Sequence, residues 1–88
     1  MVYIITYDLR KAGQNYDALY KKIISLGQTC HAMQNLWLLD TNYSVSVVCD
    51  NLRSVVDQND YIFTAQLFRG SYYGYMSNEA IDWLNRRF

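Results

Sequence analysis

Residues 2–8 read Val-Tyr-Ile-Ile-Thr-Tyr-Asp, a β-branched and aromatic run too short to make a helix of its own. Near-continuous hydrophobicity of this kind predicts a central strand covered on at least one face, so the chain must build a sheet and layer helices on it. The next segments supply them. After a loop at Lys11-Ala12-Gly13-Gln14, Asn15 is placed to cap a helix and Asp17 falls in its first turn, where the helix dipole favours negative charge. Tyr16, Leu19, Tyr20, Ile23 and Leu26 then recur at helical spacing, and Gly27 stands where a C-terminal cap belongs.

A weaker stretch from Gln28 to Met33 and the apolar run Leu36-Trp37-Leu38-Leu39 read as two strands joined at Gln34-Asn35. Ser44 can cap a second helix, whose Val45, Val48, Cys49, Leu52, Val55 and Val56 fall on one face. Its valines lower intrinsic helix propensity, so packing on a sheet must hold it. Residues 58–60 turn the chain, and Tyr61–Phe68 is a last core strand. The order β-α-β-β-α-β defines an α+β fold, a ferredoxin-like sandwich with two helices on one face of a four-stranded antiparallel sheet. It occupies residues 1–70. Residues 71–88 form a Tyr-rich C-terminal extension, read as a dimer-forming strand and a short terminal helix capped by Ser77.

Composition narrows the function. With 88 residues the chain has room for one domain. Eight Lys/Arg balance eight Asp/Glu, which excludes coating nucleic acid by bulk charge. No apolar run approaches the roughly 20 residues that span a bilayer, and the opening lacks the basic region of a signal peptide. Two isolated cysteines, Cys30 and Cys49, without CxxC or His at metal-ligand spacing, predict buried, reduced thiols and a cytoplasmic protein. A chain this small cannot hide both faces of an aromatic sheet, so a symmetric homodimer is expected, the Tyr-rich stretch adding a strand to a partner's sheet edge.

One local constellation carries chemistry. Thr6-Tyr7-Asp8-Leu9-Arg10-Lys11 puts a carboxylate at the end of the first strand, followed by two cations. One carboxylate cannot cage a magnesium ion, which takes about six oxygens. Two copies of Asp8 across a dimer axis could share a hydrated ion that activates water for phosphodiester hydrolysis, with Arg10 and Lys11 as a basic rim. The plainer reading is that Asp8 caps its loop or pairs with Arg10 or Lys11. His31 reads as an ordinary imidazole, Lys21-Lys22 and Arg86-Arg87 as solvated pairs, and Tyr3, Trp37 and Phe63 as core. No glycine-rich phosphate loop, nucleophile elbow or zinc-protease pair is present.

Tyr3-Ile4-Ile5-Thr6-Tyr7-Asp8-Leu9 resembles the first strand of the small CRISPR-associated ferredoxin-like nucleases, the second adaptation subunit of those systems. It is similar too to their VapD-like and SinR-like relatives. Gly27 followed by Gln34-Asn35-Leu36-Trp37 looks like that family's Gly…Gln-Ser-Val-Phe stretch, with Asn35 where Ser is common and no cation at Ala32 or Met33. The likeness covers about residues 1–68. It implies a homodimer in which Asp8 is both catalytic and metal-binding, holding Mg or Mn for cleavage of RNA or DNA. The alternative it implies is a catalytically silent scaffold, since many members instead act as non-catalytic scaffolds that hold DNA beside an integrase. A silent member would dock on a nucleic acid or a CRISPR-type protein, within a CRISPR, toxin–antitoxin or phage system, or inhibit by mimicry.

Overall fold

A computed structural model describes residues 1–10 and 16–88. The loop at 11–14 and the Asn15 cap lie outside the described residues. The elements run β1 (Val2–Asp8), α1 (Tyr16–Ser25), β2 (Gln28–Met33), β3 (Leu36–Asp40), α2 (Val45–Arg53), β4 (Tyr61–Leu67) and α3 (Asn78–Asn85). The four strands form one antiparallel sheet in the order β2-β3-β1-β4, an α+β architecture compatible with a ferredoxin-like fold. The apolar β1 is central, between β3 and β4, as its composition predicts.

Alternation along the strands divides the sheet into two faces. Tyr3, Ile5 and Tyr7 of β1, with Trp37 and Leu39 of β3, point to the first. There they close on Leu19 and Ile23 of α1, on Leu26, and on Val48 and Leu52 of α2. Ile5, Ile23, Leu39, Val48 and Leu52 are wholly buried; each such side chain contributes on the order of 1.5–3 kcal/mol by leaving water. Val2, Leu38 and Cys30 point to the second face, where Ala80, Trp83 and Leu84 of α3 cover them. The extension thus does half of the work expected of a partner. Ser77 caps α3 by accepting from the Ala80 N–H, and Ser44 caps α2 through Val47, both as expected. The second helix is shorter than its apolar pattern: it ends at Arg53, and Val55 and Val56 follow in turns that pack on the first core.

Residues 71–77 form no strand within this chain; the strand expected of them belongs to a partner's sheet edge. Two expectations change. Phe63, read as core, is 65% exposed, because β4 is an edge strand and α3 does not reach over it. Arg87 is not a solvated cation. Its guanidinium lies 3.6 Å over the Trp83 ring and donates to Asp40 at 2.9 Å and to the Gln28 amide oxygen at 2.6 Å, tying α3 to β2 and β3. Cys30 is buried and Cys49 half-buried, and both are free thiols. Burial pushes the Cys30 thiol pKa up, with the Glu79 charge adding to the effect. Among the described residues no helix is long and apolar enough to cross a membrane.

Candidate functional site

The β1 terminus is held from both faces. On the second face the Thr6 hydroxyl donates to the Asn35 carbonyl at 2.9 Å. On the first, the Tyr7 hydroxyl donates to the Gln34 carbonyl at 3.1 Å and accepts from the Trp37 indole at 3.3 Å. The β2–β3 turn is therefore pinned by two successive residues of β1. Tyr7 stays protonated: burial raises its pKa well above the usual phenol value, and the Tyr20 hydroxyl beside it adds to the shift. Around it Tyr16, Tyr20, His31 and Trp37 form a continuous aromatic cluster. His31 stacks on Trp37 at 4.3 Å with its plane only 13° off. The Gln34 carbonyl can only accept, so its 3.1 Å contact to His31 Nε2 places a proton on that nitrogen.

Asp8, the last residue of β1, sits opposite Tyr61 of β4 and so shares the second face with it. Its side chain is 64% exposed and forms an ion pair with Arg10 at 3.4 Å. The Arg10 guanidinium also lies 5.1 Å over the Tyr61 ring. This is the plainer of the two roles the sequence left open for Asp8. Lys11 lies outside the described residues. Among the described residues no three His, Cys, Asp or Glu side chains gather closely enough to hold a metal. A divalent ion seeking about six oxygens does not fit the one exposed, cation-paired carboxylate that a single chain offers here.

Asp60 is the residue that sequence reasoning undervalued. It looks like one of several turn aspartates, yet it is buried and fully used. One carboxylate oxygen accepts the Arg10 backbone N–H at 2.8 Å, and the other accepts that of Asp57 at 2.9 Å. It clamps the exit of β1 onto the α2–β4 loop. Arg53 closes the same loop by donating to the carbonyls of Asp57, Gln58 and Asp60. Only the register that puts Tyr61 beside Asp8 discloses this clamp. Asp60→Ala leaves two backbone donors without partners and should cost about 2 kcal/mol. Urea unfolding should show a lower midpoint at unchanged slope, and Asp60→Asn should recover part of the loss.

Tyr61 and Phe63 are the second feature missed. Both stand on the second face, 63% and 65% exposed, beside Asp8 and Thr6. Tyr73 and Tyr75 in the extension are 95% and 91% exposed and flank an apolar groove of about 580 Å³ floored by Ile4, Leu36 and Leu38. Comparison with family models finds no match, and comparisons with curated proteins and with solved structures find no significant one.

Proposed function

We propose that this chain is a ferredoxin-like interaction protein that works by docking rather than by cutting phosphodiesters, the silent branch of the family its opening strand resembles. The observation that supports this reading most is the open half of the second sheet face. Four exposed aromatic rings border it, while the one candidate catalytic carboxylate, Asp8, is engaged by Arg10 at its rim. Exposed aromatic surface on this scale marks an interaction site. In this reading Arg10 holds Asp8 as a rim charge that orients a partner and adds little affinity. The partner system, whether CRISPR-type, toxin–antitoxin or phage, belongs to the proposal on the strength of the resemblance in Tyr3–Leu9 and in Gly27 with Gln34–Trp37.

The test is direct. Labelled RNA and DNA incubated with the protein and Mg²⁺ or Mn²⁺ should remain intact, and Asp8→Asn should behave as the parent does. Because the Asp8–Arg10 pair is exposed, that substitution should change stability by no more than about 0.5 kcal/mol, read by thermal melting. Cleavage that a chelator stops and Asp8→Asn abolishes would replace the docking reading with a metal-dependent endonuclease.

A further inference from the structure

We infer that the groove between α3 and the Tyr-rich segment is a binding site for an uncharged, ring-bearing small molecule. The inference goes beyond the docking reading and does not rest on it. Three elements wall the groove. The sheet supplies its floor through Ile4, Leu36 and Leu38, with Leu67 beside them. The helix α3 supplies one side. Its Ala80, Trp83 and Leu84 close on the sheet, whereas Ile81 is half-buried and borders the groove. Residues 72–76 supply another side and take neither helix nor strand. Among the described residues no backbone hydrogen bond ties 72–76 to the rest of the chain, so this wall can shift to admit a guest at little cost.

Size and chemistry select the occupant. A volume of about 580 Å³ falls within the roughly 300–1,000 Å³ of small-molecule sites. None of the residues lining the groove is charged, whereas the hollow beside Asp40, Arg69 and Arg87 and the one beside Gly27 and Asp40 both carry charge. A carboxylate, phosphate or ammonium entering the groove would lose its water and find no counter-charge. Water fills an apolar cleft poorly, so an apolar guest displaces it favourably. The floor crosses β3, β1 and β4, two strand spacings or about 10 Å, which is wide enough for a fused pair of rings. The thioethers of Met33 and Met76 border it, and polarizable sulfur packs well against aromatic edges. The Asn85 carboxamide can donate to and accept from a single polar group on the guest, which would fix its orientation.

Titration with N-phenylnaphthylamine, an uncharged dye that emits strongly only away from water, tests the inference. Its emission should rise and saturate with a Kd of roughly 1–50 μM. The anionic analogue anilinonaphthalene sulfonate should bind at least about 10-fold more weakly. The three methionines report where the dye sits. With isotope-labelled methionine methyls, the resonances of Met33 and Met76 should move on titration, while that of Met1, outside the groove, should stay. Ile81→Lys puts a cation into the groove from a half-buried position, so it should keep the parent's circular dichroism and weaken binding about 10-fold or more. Ile24→Lys, on the exposed side of α1, should bind as the parent does. A dye that shows no saturable binding overturns the inference. So does binding that leaves Met33 and Met76 unmoved, or that is as tight for the anionic dye. Should Ile81→Lys fail to fold, the methionine resonances of the parent chain still decide the matter.

Discussion

Trp37→Ala should cost about 4 kcal/mol, the largest loss expected from any single truncation near the β1 terminus. The indole is buried between β1, α1 and β2, stacked on His31 and 5.2 Å from the Tyr20 ring. Truncation removes that packing and leaves a cavity in a sheet whose neighbours are fixed by backbone pairing. It also takes away the N–H that the Tyr7 hydroxyl accepts. A domain of this length has roughly 4–13 kcal/mol of stability in total, so the variant stands near the edge of folding. Thermal melting should show a midpoint lower by roughly 20 °C or no cooperative transition. Trp37→Phe, which keeps a ring against His31, should lose clearly less. Equal losses for the two would show that the hydrogen bond, rather than the packed ring, dominates.

Gly27→Ala should cost about 3 kcal/mol although the residue is exposed. The sequence suggests a left-handed helix cap at this position, yet the only glycine with positive φ among the described residues is Gly70. The requirement at Gly27 comes from elsewhere. A Cβ there would run into the Asp40 carbonyl oxygen and sit 3.2 Å from the Thr41 Cβ. Neither the backbone oxygen nor the start of β2 can retreat cheaply, because Gln28 pairs with Asp40 in the next step of the ladder. Relief would pull β2 away from β3 at its first pair. Gly74→Ala meets nothing within 4 Å and should be neutral within about 0.5 kcal/mol. Urea denaturation of both variants checks the contrast, and equal effects would remove the steric explanation.

The sheet and its helices were legible because the signals are local and agree with one another. The β1 run, the Ser44 and Ser77 caps, and the helical i, i+4 spacing of Leu19 and Ile23 each follow from short-range patterns. Element ends were less so. Val55 and Val56 continue the apolar face of α2 in sequence, but the chain leaves the helix after Arg53 so that Arg53 can close the loop to β4. The site was legible only in part. Asp8 stands where its position after an apolar strand suggests, and its pairing with Arg10 is local. Asp60 and the exposed rings depend on which strand lies beside which. Phe63 reads as core in any one-dimensional pattern; only its place on an uncovered edge strand makes it surface. Arg87 likewise owes its burial to Trp83 and Asp40, one of them 47 positions away in sequence.

The two tryptophans are divided between the two sides of the sheet. Trp37 belongs to the layer under α1 and α2, and Trp83 to the layer under α3. Each indole is thus a built-in optical reporter for one layer alone. In a Trp37→Phe background, the emission of Trp83 follows only the docking of α3, while the converse substitution follows only the closure of the first face. Time-resolved fluorescence on the two single-tryptophan chains would establish whether the C-terminal helix releases as a separate cooperative unit or leaves together with the rest.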